Sequence, residues 1–294
     1  ELRLIRDHMR TRGPDGEGEW YSNTHSLGLA HRRLSIIDLD ERSTQPMVSK
    51  DGRYVISFNG EIYNYRELRN QLQDKGHHFL TTSDTEVILH LFAEKGEAML
   101  QELRGMFAIA LWDNVKNKLL LARDPYGIKP LYYSDDGQTL RVASQVKALL
   151  AGGKVSRQHE PAGLVGFYLF GSVPEPFTLY EKIRAVPSSS YMWITSSGSC
   201  EPIAYFSIPG TLREAVHLAD KFKHGERQEI IREHLLDSVR NHMEADVPVG
   251  AFLSAGIDSA ALVGLMAELS GKTGVPITTI TLGFEEFKGT QDDE

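Results

Sequence analysis

The chain has 294 residues, with 32 basic and 40 acidic side chains, a formal net charge of −8 and 41% apolar residues. This is the balance of an ordinary globular protein with room for roughly two domains. No basic stripe marks a nucleic-acid binder, and no apolar run approaches the roughly 18 residues of a membrane span, so neither is an expected partner. A single cysteine, Cys200, excludes an internal disulfide framework and fits a reducing, cytoplasmic setting; no signal-peptide pattern opens the chain.

Leu2-Arg3-Leu4-Ile5-Arg6 reads as helical from the first residues, which leads us to expect a natural N-terminus upstream of Glu1. Residues 1–60 then read as short strands joined by turns. Leu34-Ser35-Ile36-Ile37 is an apolar run, and Tyr54-Val55-Ile56-Ser57-Phe58 alternates before Asn59-Gly60, a pair that tolerates positive φ and marks a tight turn. Tyr65 to Lys75 reads as a helix stopped by Gly76. Thr85 to Leu103 carries Val87, Ile88, Leu91 and Phe92 at helical spacing, with Ser83 or Asp84 as N-cap. Met106–Trp112 and Lys118–Arg123 form a hairpin signal around residues 113–117. Strands at Pro130–Tyr133 and Leu140–Ser144 and a short helix near Val146–Leu150 follow. Strands, helices, then strands again suit stacked sheets with helices outside them.

The character changes near residues 207–226, where Pro209-Gly210 opens a charged stretch that reads as a linker. Ile231, Leu235, Val239 and Met243 then recur every fourth residue, the stripe of an amphipathic helix. Val247–Leu253 reads as a buried strand, Ala260–Leu269 as a helix and Pro276–Leu282 as a second strand. Strand, loop, helix, strand is the opening βαβ unit of a parallel sheet. One such unit cannot cover both faces of its sheet, so we expect chain beyond Glu294 as well.

The loop inside that unit, Ser254-Ala255-Gly256-Ile257-Asp258-Ser259, is the densest local chemistry. Small residues let backbone N–H groups approach an anion, and the helix N-terminus adds positive partial charge. Ser254 and Ser259 can donate to phosphate oxygens. Asp258 would repel a phosphate by itself, so its use there would be to hold Mg²⁺ beside it. From the loop alone, a plain helix N-cap built on Asp258 and Ser259 has equal support.

Two family patterns break the tie. The loop resembles the pyrophosphatase-type loop of ATP-adenylating enzymes, Ser-Gly-Gly-x-Asp-Ser, with Ala255 in place of a glycine. The first half resembles glutaminase domains with an N-terminal nucleophile in four clusters: Arg12-Gly13-Pro14-Asp15-Gly16, His31-Arg32-Arg33-Leu34-Ser35, Asn59-Gly60-Glu61-Ile62-Tyr63-Asn64 and Ser83-Asp84-Thr85-Glu86. Arg123-Asp124-Pro125-Tyr126-Gly127-Ile128-Lys129-Pro130-Leu131-Tyr132-Tyr133 extends the likeness. Both patterns in one chain resemble the glutamine-hydrolysing asparagine synthetase family, over essentially all 294 residues.

The resemblance implies an α/β (α+β) protein. A four-layer α-β-β-α glutaminase domain would span 1–210, and the start of a parallel-sheet ATP-pyrophosphatase domain would span 211–294. It implies that the side-chain amide of Asn59 and the backbone N–H of Gly60 form an oxyanion hole for amide hydrolysis. It makes Arg33 a fork on the glutamine carboxylate, and Glu61 and Asp84 holders of its ammonium group. Without it, Arg33 reads as a surface ion pair, Asp84 as a helix cap and Asn59-Gly60 as a bare turn. His31 is read as structural. Leu253 and Leu282 would lie where backbone holds the adenine nucleotide, though both read equally well as strand core.

The implied reaction takes ammonia from glutamine, adenylates aspartate with ATP and Mg²⁺, and forms an amide with release of AMP and pyrophosphate. The resemblance is compatible with a homodimer. The implied nucleophile is a cysteine at the very N-terminus of the mature enzyme. It is not among these residues, and Cys200, beside Glu201 in a turn, is no substitute. The 294 residues are therefore expected to be inactive as a glutaminase. Gln145, Pro187-Ser188-Ser189-Ser190 and Ala260 also depart from the family's usual Glu, Pro-Pro-Gly-His and Ser, which marks a divergent member. An amidotransferase acting on another carboxylate, a pseudoenzyme that binds without turnover, and a plain structural module are the alternatives.

Overall fold

The opening residues do form a helix, α1 (Leu2–His8), and two antiparallel strands follow, β1 (Gly16–Tyr21) and β2 (Gly28–Arg33). The structure, a computed structural model, describes residues 1–219, 224–274 and 276–283. In chain order come β3 (Met47–Val48), β4 (Tyr54–Ile62), α2 (Tyr65–Asp74), α3 (Asp84–Lys95), β5 (Gly105–Asp113), β6 (Lys118–Arg123), β7 (Tyr132–Asp135) and β8 (Leu140–Ala143). The first unit ends with α4 (Val146–Ala151), α5 (Pro161–Phe170), β9 (Arg184–Ala185), β10 (Ser190–Thr195), β11 (Gly198–Ser199) and β12 (Ile203–Ala204). The chain divides into two units, Glu1–Ile208 and Pro209–Glu294.

Period-two alternation organises the first unit. A seven-stranded sheet runs β11-β10-β6-β5-β4-β3, with β12 against β10. One face of its central strands, with Ile56, Phe58 and Ile62 on β4 and Phe107, Ile109 and Leu111 on β5, buries against Leu68 and Leu72 of α2 and Val87, Ile88 and Leu91 of α3. The other face, with Val55, Ala108, Trp112, Leu119 and Leu121, packs on Leu29 of β2 and on residues flanking β7 and β9. These belong to two smaller sheets, β1-β2 and β8-β7-β9. Ile5 of α1 and Ala148, Leu149 and Leu150 of α4 close a third core over β8. Helices, sheet, sheet, helices: the α-β-β-α stack implied by the resemblance is the architecture of this unit. Each fully buried Leu or Ile in it contributes roughly 1.5–3 kcal/mol.

Several local expectations change. β4 runs straight through Asn59-Gly60, which is no turn; Gly60 is required because a Cβ there would stand 2.1 Å from the Met106 carbonyl oxygen of β5. Leu34–Ile37 forms no strand, because Arg33 ends β2 and the chain leaves the sheet. The helix expected to reach Leu103 stops at Lys95. Gly96 turns left-handed (φ +57°) and a 3₁₀ segment, Gly96–Gln101, follows. Ser189, where the family has glycine, holds φ +57°, a backbone conformation that disfavours a side chain. Its hydroxyl donates to the Pro125 carbonyl at 2.6 Å, which offsets part of that cost.

In the second unit the charged stretch read as a linker is largely helix, α6 (Ile208–Ala219); Pro209 is tolerated because first-turn N–H groups have no helical partner. The Lys221-Phe222-Lys223 end of that stretch lies outside the described residues. Then come α7 (His224–His242), β13 (Gly250–Phe252), α8 (Ile257–Thr273) and β14 (Thr278–Ile280), with β13 and β14 parallel. The βαβ reading holds, with shorter strands. Val239 is buried with Met266 and Leu269, whereas Ile231 and Leu235 of the same stripe are more than half exposed.

Candidate active site

A cleft of about 1260 Å³ opens between the two small sheets, over the inner face of the large one. Ala108 and Ala110 of β5 help line it, small side chains that leave its volume free. On β4 the residues that follow Val55 on the inward face are Ser57, Asn59 and Glu61, so the strand changes from apolar to polar where the cleft begins. On β2 the inward face carries Leu29, His31 and Arg33. Arg33, Asn59, Gly60, Glu61 and Asp84 all line this one cleft.

Each is held by groups remote in sequence. The Asn59 amide donates to Ser144 Oγ (3.2 Å), just beyond β8, which fixes its direction and leaves its second N–H unused by that bond. Amides of Phe58, Gly60 and Ile62 point to the same edge of β4, because alternate residues of a strand do. Phe58 N donates to Gln45 Oε1 (2.6 Å) and Ile62 N to Asp84 Oδ2 (3.0 Å). The Gly60 N–H lies between these two and points away from β5. Gln45 Nε2 in turn donates to Thr85 Oγ1 (3.3 Å), tying β4 to the start of α3.

Arg33 is buried and its guanidinium serves a loop: Nη1 donates to the Asp40 carbonyl (3.1 Å), and Nη2 to the carbonyls of Ile37 (3.3 Å) and Asp38. Both Nη2 protons are thereby engaged. A two-point grip on a carboxylate uses Nη2 on either edge of the fork, so it requires the 37–40 loop to yield one bond. The Arg12–Gly16 cluster supports this strand end: Asp15 N donates to the Arg33 carbonyl (3.0 Å) and Asp15 Oδ2 accepts from Ser35 N (2.9 Å).

Asp84 begins α3, with Ser83 as N-cap accepting from Thr85 N (3.1 Å). Its carboxyl is pushed up to about 6, by burial first and also by Glu61, against hydrogen bonds from Ile62 N, Thr85 N and Ser83. A buried carboxylate that is charged at neutral pH against this penalty is poised to accept a cationic partner, which would offset it. His31 is pushed down to about 4 by burial and by Arg33, and Nδ1 lies 3.1 Å from Ser57 Oγ, in keeping with a packed, neutral imidazole. Arg123 and Asp124 of the Arg123–Tyr133 cluster are scaffold, while Ile128 to Leu131 line the cleft. Asp124 accepts from the amides of Phe107, Tyr126, Ile128 and Lys129, and Arg123 donates to Glu175 and to the carbonyls of Gly127, Lys129 and Val186. Cys200 is exposed.

Residues 1–206 match the glutamine amidotransferase domain family. The chain belongs to that family. Residues 230–294 match a second one, asparagine synthase. An asparagine synthetase (glutamine-hydrolyzing) of Bacillus subtilis is 38% identical over 275 residues, 94% of this chain and 41% of the relative. A putative asparagine synthetase of Mycobacterium bovis is 39% identical over 94% of this chain and 43% of its own length. The chain thus spans less than half the length of these relatives. Among solved structures, glutamine phosphoribosylpyrophosphate amidotransferase of B. subtilis, complexed with ADP and GMP, superposes with a TM-score of 0.51 at 19% identity, over 95% of this chain and 62% of that one. That likeness concerns the fold.

In the second unit of this amidotransferase chain, Leu253 leaves β13 with its N–H on the Ile280 carbonyl (2.9 Å) and its carbonyl on Thr281 Oγ1 (2.7 Å). Leu282 is 65% exposed. Ser254, Ala255, Gly256, Ile257 and Asp258 are exposed, and the two hydroxyls of the loop bind each other: Ser254 Oγ and Ser259 Oγ are 3.0 Å apart, and Ser259 Oγ lies within reach of the Ser254 and Gly256 carbonyls. Gly256 caps α8 and no side chain accepts from the first turn, so Asp258 and Ser259 do not act as the N-cap. Ala255 is not among the residues with left-handed backbone, so its methyl group carries no such strain.

Sequence reasoning missed Gln45, Asp38 and Ser144, which contact the cleft's groups directly, and Glu86, buried just outside it. Glu86 had a signal, as the fourth residue of a quoted cluster. Gln45, Asp38 and Ser144 had none beyond polarity.

Proposed function

We propose that this chain is the glutamine-binding half, and the opening of the ATP-using half, of a glutamine-dependent asparagine synthetase. The observation that supports this most is the polarity of one cleft: cationic Arg33, acidic Asp84 and Glu61, and between them amide donors from Asn59 and Gly60. A free α-amino acid has a carboxylate and an ammonium group on one carbon, and its side-chain amide would reach the donors. Arg33 takes the carboxylate with the N–H groups the loop leaves. Asp84 and Glu61 take the ammonium. In this reading Asn59 Nδ2 and Gly60 N would donate to the oxyanion that forms during amide hydrolysis.

The second half would use the released ammonia. The first-turn amides of α8, which no side chain caps, and the hydroxyls of Ser254 and Ser259 suit a phosphate group, as in ATP. Mg²⁺ would be shared with the nucleotide, with Asp258, exposed in the first turn of α8, supplying one ligand beside phosphate oxygens and water; among the described residues no three His, Cys, Asp or Glu side chains cluster to hold a metal by themselves. ATP then adenylates a carboxylate, aspartate in the standard reaction, and the amide forms with release of AMP and pyrophosphate. Small-molecule substrates in the cytoplasm are part of this proposal; among the described residues no helix is long and apolar enough to cross a membrane.

The test is direct binding. By calorimetry the 294-residue chain is expected to take up L-glutamine and to bind D-glutamine at least tenfold more weakly. No heat with L-glutamine would overturn the reading. With Cys200 as its one cysteine, exposed in the first unit, this polypeptide is expected to release no glutamate from bound glutamine.

A further inference from the structure

One member of the cluster Ser83-Asp84-Thr85-Glu86 has no part in the cleft as described. Glu86 is buried, and its carboxylate accepts from Leu80 N (2.8 and 3.1 Å), Thr81 N (2.7 Å) and Thr81 Oγ1 (2.6 Å). A serine N-cap followed three residues later by glutamate ordinarily forms a reciprocal capping box, in which the glutamate accepts from the N-cap's own N–H. Here Ser83 N donates instead to Thr81 Oγ1 (3.2 Å), and Glu86 reaches past it to grip the turn upstream.

That turn touches both ends of the cleft's polar row. It leads directly into Ser83 and Asp84. Its other side carries Thr82, whose N–H donates to Asp38 Oδ2 (2.6 Å), and the Asp38 carbonyl accepts from Arg33 Nη2. Asp38 itself holds φ +54°, a strained position that such contacts must maintain. Behind Glu86 stands His90, Nε2 3.8 Å from its Oε1. His90 Nδ1 meets His77 Nδ1 at 3.0 Å, and His77 Nε2 meets Glu94 at 3.0 Å, with Lys75 beside Glu94. Burial opposes the charge on Glu86, but the nearby His90 and the hydrogen bonds from Thr81 and Leu80 prevail and hold it ionised, at about 2.

We propose that Glu86 is a positioning residue for the amino-acid end of the cleft, clamping the 80–83 turn so that Asp84 and, through Thr82 and Asp38, Arg33 face the two ends of one ligand. This rests on the glutamine reading. Glu86 touches no ligand; it acts through the turn. Substituting Gln keeps its shape, removes the charge and turns a donor toward amides that already donate.

The experiment uses the 294-residue chain and its Glu86→Gln variant, with two readouts: the Kd of L-glutamine by calorimetry, and the titration midpoint of the Asp84 carboxyl by ¹³C NMR without ligand. The variant is expected to weaken glutamine binding at least tenfold and to move the Asp84 midpoint down by about one pH unit as the loosened turn admits water. Glu94→Gln, at the far end of the histidine pair, is expected to change Kd less than twofold. A folded Glu86→Gln chain with Kd within twofold and an unmoved midpoint overturns the proposal. If the unsubstituted chain binds no glutamine, the reading of function fails, and the midpoint alone decides whether Glu86 sets Asp84. Should Glu86→Gln not fold, Thr81→Val removes the hydroxyl that links Glu86 to Ser83 N and must move both readouts in the same direction, by about threefold in Kd; no movement overturns the proposal.

Discussion

The two units carry their polar groups in opposite ways. In the first, Asp84, Arg33 and the amide edge of β4 are buried or half-buried, and each is aimed by residues far away in the chain: Gln45 on Phe58, Ser144 on Asn59, the 37–40 carbonyls on Arg33. In the second, the loop at 254–259 is largely exposed and its hydroxyls satisfy one another within five residues. A buried polar group left without a partner costs about 1–3 kcal/mol, whereas an exposed one falls back on water. The cleft is therefore pre-organised at a cost in stability, and the loop at 254–259 is a local structure that, in the proposed reading, would exchange its own hydrogen bonds for those of a phosphate.

The largest contrast should come from glycines. Gly60→Ala would drive a methyl group into the Met106 carbonyl and is expected to cost about 3 kcal/mol or more, read as a lower denaturant midpoint. Gly256→Ala meets only the hydroxyls of Ser254, at 3.2 Å, and Ser259, at 3.9 Å, and should cost less than about 1 kcal/mol by the same measurement. Equal losses would erase the distinction drawn between the units.

Asp84→Asn separates stability from binding. A carboxyl at about 6 in the folded chain, against about 3.9 when unfolded, disfavours folding once it is charged. That penalty is absent below pH ~4, grows between ~4 and ~6, and is full above ~6. The variant is accordingly expected to be about 2 kcal/mol more stable at pH 7.5, with little difference at pH 4, while L-glutamine binding falls at least a hundredfold. A variant that is less stable at pH 7.5 would remove Asp84 from the set of strained, functional groups. A gentler form of the same test needs no mutation. Because ionised Asp84 is the proposed partner of an ammonium group, the Kd of glutamine should rise below pH ~6, toward tenfold per unit. A flat profile from pH 7.5 to 5 would point to Glu61 as the principal acceptor.

The smallest effect is expected in the loop. Ala255→Gly relieves no left-handed strain and should alter stability by less than about 1 kcal/mol, and nucleotide affinity by no more than severalfold. A large gain would mean that the methyl group itself obstructs the nucleotide.

By itself the sequence determined the elements whose cause is local. The alternation of β5 and β6 around residues 113–117, the helical spacing in α2 and α8 and the strand-loop-helix-strand order of the second unit are periodicities that short stretches impose. The family clusters likewise named the five residues that line one cleft. Only the tertiary structure decided the rest, because its causes lie across the chain. Asn59-Gly60 has the composition of a turn, yet pairing with Ala108 and Phe107 of β5 keeps it in a strand and leaves Gly60's amide facing outward. The charge on Arg33 was legible, but three carbonyls of its own loop determine which of its protons remain for a ligand. Asp84 looked like a cap; burial against β4 lifts its carboxyl to about 6. Residue type sets what chemistry a position can offer, and packing sets the dielectric, the direction and the partners that decide whether it is offered.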